Sequence, residues 1–115
     1  MPDPFTANAA YDVLAERRRQ IDAEGWTTAH DDAHKDGALA LAASLYAFQA
    51  ISDANHGHGL ALARRGSCPA LWPWAADWWK PSNRRRDLVK AGALILAEIE
   101  RLDRIQSLAG RGDDD

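Results

Sequence analysis

The sequence predicts an all-α fold, a small helical bundle of three main helices and a short fourth, with an ordered tryptophan-rich loop. Apolar residues recur at helical spacing in three long segments, no segment alternates apolar and polar residues like a half-buried strand, and glycine and proline clusters separate the segments. These observations favour a bundle over any fold that contains a sheet. We expect one domain over residues 7–107, with flexible ends at 1–6 and 108–115.

Composition and charge narrow the class of protein. The 115 residues are 46% hydrophobic and 27% charged, which suits a globular domain whose core needs no disulfide or metal. The net charge of −3 argues against general nucleic-acid binding, which depends on an excess of lysine and arginine. The longest apolar stretch, residues 38–45, is far shorter than the roughly 20 residues that cross a bilayer. Cys68 is the single cysteine, and we expect a cytoplasmic protein without membrane association.

Capping and breaker residues predict where the helices begin and end. The first helix is expected from residue 6 or 8 to about 23, followed by a loop over 24–29. The second begins between residues 31 and 36, ends near 53, and is apolar on nearly every side, which places it in the middle of the fold. Residues 60–65 suit a short helical turn. The last helix follows a cap at residue 82 or 83 and persists to about 107.

Helical periodicity predicts which faces are buried. On the first helix the apolar stripe consists of Tyr11, Leu14 and Ile21, and Arg18 holds the position between the last two. Arg18 either packs its aliphatic stem and extends its charge to water, or aims its guanidinium into a ligand cavity. The predicted buried face of the last helix comprises Leu88, Ala91, Ile95, Ile99 and Leu102.

The densest functional signal is a run of tryptophans followed by arginines. Four of the five tryptophans lie within residues 72–79, in what we expect to be an irregular loop, and three arginines occupy residues 84–86. Indole rings stack on bases, and guanidinium groups bind phosphate or carboxylate oxygens. The combination predicts a site for a nucleotide-like anionic ligand. We expect two of the four indoles to fill the core and Trp74 and Trp79 to line a cleft with Trp26.

Positive charge is concentrated at the start of the last helix, where the helix dipole disfavours it. Lys80 and the arginines at 84–86 are compensated there either by a bound anion or by surface ion pairs with Asp87 and nearby carboxylates. The predicted ligand-binding residues are Arg18, Trp26, His30, Asp31, His34, Trp74, Trp79, Lys80, Arg84, Arg85 and Lys90.

A second cluster of functional groups lies at residues 30–34, with the sequence His-Asp-Asp-Ala-His. On a helix, His30 and His34 share a face, so that they and Asp31 form an alternative site for a divalent metal ion. The same groups could instead hydrogen-bond a ligand, or form a structural polar cluster with Arg17 and Arg18. We expect no metal or other cofactor. Candidate third ligands for the metal alternative are Glu98, Glu100 and Asp103.

Several short motifs lie within residues 11–105, namely Glu16-Arg17-Arg18-Arg19-Gln20, Glu24-Gly25-Trp26-Thr27, His30-Asp31-Asp32 with His34, Gly37 and Leu39, Trp72-Pro73-Trp74, Trp79-Lys80-Pro81, and the stretches 85–95 and 97–104. Together they resemble a family of small helical proteins encoded by bacteriophages and prophages. Residues 21–32 also resemble part of the ryanodine-receptor repeat domains. The first resemblance implies a protein that works in the cytoplasm of an infected or lysogenic bacterium.

The resemblance and the aromatic and basic residues together suggest three functions. The leading hypothesis is a non-catalytic protein, similar in design to the sponges that sequester immune signalling nucleotides, which builds its pocket in a homo-oligomer. The first alternative is a metal-dependent enzyme similar to the all-α nucleotide pyrophosphohydrolases, because Glu100-Arg101-Leu102-Asp103 matches half of their paired carboxylate motif. The second is a protein inhibitor of a host defence complex, because an exposed tryptophan patch also suits a protein interface.

Overall fold

The computed structural model describes residues 3–54 and 68–113, and the side chains of 3–51 and 68–108. Within these residues the fold is all-α, as predicted, with no strand. The predicted turn at 60–65 lies outside the described residues. The elements are α1 (Pro4–Asp22), α2 (Thr28–Asp32), α3 (Ala38–Ala54), a 3₁₀ turn (Ala76–Trp78) and α4 (Arg84–Asp113).

Helix α1 begins earlier than predicted, and helix α4 ends later. Helix α1 begins at Pro4 because Asp3 caps it, its Oδ1 accepting a hydrogen bond from the Thr6 backbone N–H at 2.9 Å. Helix α4 starts as predicted, since Asn83 Oδ1 accepts from the Arg86 backbone N–H at 2.9 Å. It continues to Asp113 rather than ending near 107, and no glycine or proline interrupts residues 93–109.

The predicted second helix corresponds to α3, and a separate short helix, α2, precedes it. Thr27 caps α2, because its hydroxyl oxygen accepts from the His30 backbone N–H at 3.3 Å, so helix begins inside the segment expected to be a loop. Gly37 then adopts a φ of +83°, a conformation that side-chain-bearing residues rarely take, and this turn separates α2 from α3. His30 lies in α2, and His34 follows the C-cap residue Ala33.

The core lies between α3 and α4 and is closed by the tryptophan-rich segment, residues 68–83. Helix α3 is central, as predicted: Leu39, Ala42 and Tyr46 are buried against α4 and the indoles. Residues 68–83 form an irregular loop with one 3₁₀ turn, also as predicted. The loop is fastened to the core at two points: Trp72 Nε1 donates to the Ala75 carbonyl oxygen at 3.0 Å, and the Lys80 backbone N–H donates to the Tyr46 hydroxyl at 3.0 Å.

The predicted buried face of α4 is wrong except at Ala91. Leu88, Ile95, Ile99 and Leu102 are each about half exposed, whereas Leu94, the alanines at 93 and 97, and Arg101 are buried. The buried face of α4 is the one with the alanines, because small side chains let α3 and the bulky indoles approach the helix closely. Periodicity alone cannot distinguish these two faces, since both carry apolar residues.

The predicted buried stripe of α1 is also wrong. Tyr11 and Leu14 are 71% and 59% exposed, and Arg18 is exposed, whereas the buried side chains of this helix are Glu16, Arg17 and Gln20. Glu16 and Arg17 are buried because they form ion pairs with the other helices, and Gln20 Nε2 donates to Glu16 at 3.3 Å. The helix therefore buries Arg17 rather than Arg18, the arginine that the sequence pattern placed on the buried face.

None of the helices over residues 3–54 and 68–113 combines the length and apolar character needed to cross a bilayer.

Candidate functional site

A cavity of about 360 Å³ opens between α2 and the tryptophan-rich loop. We call it the Trp pocket. Three indoles and two imidazoles form most of its wall, so that its surface is largely aromatic with a few polar atoms. Its lining residues are Glu24, Trp26, His30, His34, Trp74, Ala75 and Trp78.

The five tryptophans divide between the core and the Trp pocket. Trp72 and Trp79 are buried against Tyr46, with ring centroids 5.7 Å and 4.6 Å from the tyrosine ring. Two of the four clustered indoles therefore fill the core, as predicted, but Trp79 is one of them rather than a pocket residue. Trp78, which sequence patterns do not single out, lies in the wall instead. The proline-bounded loop alone carried no signal for which rings would face inward.

The pocket indoles surround the cavity at tilted angles. The Trp26 ring centroid lies 5.4 Å from that of Trp74 and 6.0 Å from that of Trp78. The indole Nε1 of Trp74 is buried and has no hydrogen-bond partner within the described part of the chain. A buried donor without a partner carries a free-energy cost.

A chain of polar groups runs from the pocket wall into the protein interior. Asp31 is fully buried; its Oδ1 lies 3.1 Å from His30 Nδ1, and its Oδ2 accepts from Arg17 Nη2 at 2.8 Å. Because an ionised carboxylate only accepts hydrogen bonds, we assign the proton of His30 to Nδ1. Nε2 of His30 is then an acceptor, 3.3 Å from Nε2 of His34, which we assign as the donor.

Within this row of hydrogen-bonded groups, His34 has a pKa that its surroundings shift. Burial, together with the neighbouring His30, lowers the pKa of His34 from its ordinary value of 6.5. The neutral imidazole is therefore favoured at the pocket wall at neutral pH. Because Nε2 of His34 donates to His30, its other ring nitrogen, Nδ1, is an acceptor, which suits a donor on the edge of a heteroaromatic ring.

Arg17 is a functional residue that sequence reasoning placed only in a structural polar cluster. Its buried guanidinium donates to Asp31 and to Glu100 Oε1 at 2.9 Å, and it reaches the Trp26 carbonyl oxygen at 3.4 Å. One side chain thus ties α1 to α2, to α4 and to the segment that carries Trp26. Arg17 positions the histidines through Asp31 and does not itself line the Trp pocket.

Glu24 and Lys80 set the charge at the pocket rim. Glu24 accepts from Arg19 at 2.8 Å and from Lys80 Nζ at 3.3 Å. Burial would raise the pKa of Glu24, but the hydrogen bonds from these two cations outweigh it and hold the pKa below 4.5. Lys80 Nζ also lies 5.3 Å from the centroid of the Trp78 ring. Lys80 is accordingly the predicted cation that the fold brings to the aromatic wall.

The arginines at the start of α4 lie elsewhere. Arg85 pairs with Asp12 at 2.8 Å, Arg86 pairs with the buried Glu16, and Arg84 is exposed. A shallow hollow of about 180 Å³, which we call the arginine hollow, shares no lining residue with the Trp pocket. The structure therefore does not bring the indoles and these guanidinium groups into one cleft. The hollow is lined by Asp12, Ala15, Glu16, Arg19, Arg85 and Arg86.

Lys90 lies beneath the loop rather than in the Trp pocket. Its ammonium donates to the Lys80 carbonyl oxygen and is 5.6 Å from the centroid of the Tyr46 ring. Burial lowers the pKa of Lys90 and raises the pKa of Tyr46 to about 12. Both groups hold the loop against α4, so the predicted ligand-binding role of Lys90 has no counterpart in the lining of the pocket.

The candidate metal ligands do not converge. Across residues 3–54 and 68–113, no group of three or more His, Cys, Asp or Glu side chains is arranged to hold a metal ion. Glu98 pairs with Arg101 at 2.7 Å, and Glu100 pairs with Arg17. Asp31 faces His30 and Arg17, which makes it a positioning carboxylate rather than a third ligand.

Comparison with known proteins finds no matching family model, no similar curated protein and no similar solved structure. The chemistry of the site is therefore inferred from its own residues: an aromatic cavity, two half-buried histidines in its wall that are linked to the buried Asp31, an indole N–H without a partner in the described part of the chain, and a lysine that pairs with Glu24 of the lining.

Proposed function

We propose that this chain is a non-catalytic binding protein that sequesters a nucleotide-derived ligand, with the base held in the Trp pocket. The observation that carries the proposal is the Trp pocket itself, in which three indoles enclose about 360 Å³ beside a pair of imidazoles. Cavities of this size accept small organic molecules, and aromatic walls with few polar groups are typical of such sites. The wider role, removal of an immune signalling nucleotide by a protein of phage origin, follows from the resemblance given above.

Ring stacking supplies the affinity in this proposal. Trp74 and Trp78 each approach Trp26 at tilted angles, so a planar base can lie against one indole face and meet the edge of another. Aromatic stacking with a base contributes about 1–3 kcal/mol per base. Because every base has a π-face, stacking favours the class of ligand without choosing among its members.

In this proposal, hydrogen bonds determine which kind of ligand ring the Trp pocket accepts. The Trp74 indole is a donor without a partner among the described residues, and the histidine pair leaves one acceptor, Nδ1 of His34. A ring that carries a carbonyl or ring-nitrogen acceptor next to a donor would match these groups. Purines and pyrimidines meet this requirement, whereas purely apolar rings do not.

The anionic part of the ligand would be held by Lys80 in this proposal. Lys80 is half exposed, and its ammonium is shared with Glu24 at 3.3 Å, so a phosphate at the rim could draw it away. Arg85 and Arg86 are excluded from this role because Asp12 and Glu16 already engage them in the arginine hollow. We therefore expect the base to contribute more to affinity than the phosphate.

Isothermal titration with three kinds of ligand tests the proposal. Nucleosides probe base binding alone, nucleotides and cyclic dinucleotides add phosphate, and tetramethylammonium tests whether the aromatic wall instead selects a cation. We expect measurable binding of at least one nucleoside and tighter binding of the matching nucleotide. Absence of heat for every nucleoside and nucleotide at high protein concentration would sink the proposal, as would binding of tetramethylammonium alone.

Variants of Trp74 separate stacking from hydrogen bonding. Trp74→Ala removes both, Trp74→Phe keeps a ring but loses the N–H, and Arg84→Ala alters an exposed arginine that lines neither cavity. We expect affinity to fall most for Trp74→Ala, less for Trp74→Phe and not at all for Arg84→Ala. Mass spectrometry of the ligand after prolonged incubation distinguishes sequestration, which leaves it unchanged, from the alternative hydrolytic function.

A further inference from the structure

His30 and His34 present the same ring nitrogen to each other in the wall of the Trp pocket. The two Nε2 atoms are 3.3 Å apart, and the ring centroids are separated by 4.6 Å. The nitrogen separation exceeds the roughly 2.7–3.2 Å of ordinary N–H···O hydrogen bonds, so the direct contact between the rings is a weak hydrogen bond. In that contact one Nε2 donates and the other accepts, whereas a metal ion between the rings would accept the lone pairs of both.

The distance between the two nitrogens indicates which coordination geometry suits them. Zinc–imidazole bonds are about 2.0–2.1 Å long, and two such bonds at a tetrahedral angle set the nitrogens about 3.3–3.4 Å apart. Two bonds of the same length at right angles, as in a square-planar or octahedral complex, would set them about 2.8–3.0 Å apart. The observed 3.3 Å matches the tetrahedral case. The histidine pair therefore suits Zn²⁺, which prefers four ligands in this geometry.

His30 is held in the way that is typical of a metal-binding histidine. Its Nδ1 lies 3.1 Å from Oδ1 of the fully buried Asp31, which keeps the proton on Nδ1 and leaves the lone pair on Nε2. Ligating histidines commonly donate their other N–H to such a carboxylate, which orients the ring and makes it a better ligand. The Trp26 ring lies parallel to the His30 ring, with 4° between the planes and centroids 5.8 Å apart. Two independent contacts thus fix His30, and His34 is the ligand that adjusts.

The charge beside His30 favours a cation. Asp31 and Glu100 share the guanidinium of Arg17, at 2.8 Å and 2.9 Å, so this group of three side chains carries one negative charge in excess. Asp31 and Arg17 are both buried, where water screens charge less than at the surface. A divalent ion on the far nitrogen of His30 would offset the excess charge through the ring.

The Trp pocket has room for the ligands that the protein does not supply. Both histidines line this cavity of about 360 Å³, so water or an atom of a bound molecule can occupy the two remaining tetrahedral positions. This arrangement differs from the site of three or more protein ligands, which the described ranges 3–54 and 68–113 do not form. Asp31 takes no coordination position in it, because the carboxylate is hydrogen-bonded to His30 and paired with Arg17.

We propose that His30 and His34 bind one zinc ion through their Nε2 atoms, with the other two coordination positions open to the Trp pocket. On binding, the proton of His34 moves from Nε2 to Nδ1 by way of solvent, so that both Nε2 lone pairs are donated and the ion keeps its oxidation state. The proposal does not rest on nucleotide binding, since its test uses zinc alone. Trp78→Ala, which should weaken nucleotide binding, is expected to leave zinc affinity unchanged because the Trp78 ring packs against Trp26.

Calorimetric titration of the metal-free full chain with zinc chloride tests the site, in a Cys68→Ser background that removes the single thiol. We expect one zinc ion per chain. His34→Gln is expected to raise the dissociation constant by about 100-fold or more, because the loss of even an outer hydrogen-bonding partner typically costs 10–100-fold. The matched control is the double variant His56→Ala with His58→Ala, which removes the other two histidines of the chain and should leave the affinity unchanged.

Circular dichroism confirms that the variants are folded. Absence of zinc binding would overturn the proposal, as would an affinity that His34→Gln leaves unchanged or that the double variant at residues 56 and 58 abolishes.

Two spectroscopic measurements on the Cys68→Ser protein, with both pocket histidines intact, test the geometry. Cobalt(II) in place of zinc should show the intense visible absorption of a tetrahedral ion rather than the weak absorption of an octahedral one. Long-range ¹H–¹⁵N NMR of the zinc-loaded protein should identify Nε2 as the coordinated atom and Nδ1 as the protonated atom in His30 and His34. An octahedral cobalt spectrum, or coordination through Nδ1 of either ring, would contradict the arrangement.

Discussion

The Trp pocket and the arginine hollow contain the two residue types that the sequence places almost side by side, and they differ in how their polar groups are satisfied. In the arginine hollow, Arg85 and Arg86 are already paired with Asp12 and Glu16 of α1. In the Trp pocket, the Trp74 indole N–H has no partner among the described residues, and the cavity is about twice as large. Two of the three consecutive arginines thus form ion pairs within the chain, whereas two of the four clustered indoles border an open cavity.

The two regions also differ in the burial of the ion pair beside each cavity. The pocket is supported by the buried Arg17–Asp31 pair, and the hollow is rimmed by the exposed Arg85–Asp12 pair, both with an N–O distance of 2.8 Å. Burial decides how much each pair matters, because an exposed pair is screened by water and a buried one is not. Equal distances therefore do not imply equal contributions to stability.

The largest expected effect is on the buried pair. Arg17→Ala leaves the Asp31 carboxylate uncompensated in the interior, and we expect a loss of about 3–5 kcal/mol in the free energy of unfolding. Urea denaturation with the linear extrapolation method measures it. The double variant Arg17→Met with Asp31→Asn is the control for packing, and we expect it to recover part of the loss. A change below about 1 kcal/mol in Arg17→Ala would contradict the role given to this pair.

A smaller effect is expected on ligand binding at the exposed wall of the pocket. Trp78→Ala removes one stacking face and should weaken nucleotide binding by about 1–3 kcal/mol, or roughly 5- to 150-fold in the dissociation constant, at little cost in stability. Calorimetric titration reports the affinity and thermal denaturation the stability. Arg85→Ala, in the arginine hollow, is the matched control and should leave affinity unchanged. Equal losses in both variants would mean that the two regions form one site after all.

The Trp pocket should also respond to pH through His34. Because burial lowers the pKa of His34 below 6.5, the unfolded chain takes up a proton at a higher pH than the folded protein does. The contribution of His34 to stability is therefore complete above about pH 6.5 and is lost as the pH falls through that value towards the lower folded pKa. Histidine NMR titration measures the pKa, and His34→Gln should flatten the dependence of the unfolding midpoint on pH in this range. A folded pKa above 6.5 would refute the assignment.

The smallest effect is expected at the exposed pair. Arg85→Ala should change the free energy of unfolding by about 0–1 kcal/mol, and less at high salt, because Arg85 and Asp12 are both well exposed. The comparison with Arg17→Ala in the same denaturation experiment is the measurement of interest. A loss above about 2 kcal/mol would show that the arginine hollow is a structural centre rather than a solvated surface.

Helical periodicity in the sequence predicted the position of α3 but not the buried faces of α1 and α4. The central position of α3 followed from its sequence, because a helix that is apolar on every side has no other place in a small domain. The buried faces of α1 and α4 did not, because each has two candidate faces and their choice depends on neighbours distant in the sequence. Arg17, rather than Arg18, is buried since Asp31 and Glu100, 14 and 83 residues away, provide its partners.

Some residues of the candidate site were likewise predictable from the sequence, and others were not. The histidines and Asp31 were predicted as one cluster because they are adjacent in sequence, and the structure places them together. Trp78 and Glu24 were not predicted as site residues, and Trp79 was assigned to the cleft although it lies in the core. Which indole of an irregular loop faces inward depends on its backbone path, and this path is fastened by the Tyr46 hydroxyl on another helix.

The sequence by itself determined that this protein is helical, that α3 is at its centre, and that aromatic, histidine and basic groups are its functional resources. These properties depend on composition, local spacing and capping, which act within a few residues. Only the tertiary structure decided that the indoles and histidines form a pocket, that Arg85 and Arg86 pair with carboxylates of α1, and that the larger apolar face of α4 is left exposed. The physical reason is that burial and ion pairing are set by partners far apart in the chain, whose competition for the same space no local pattern records.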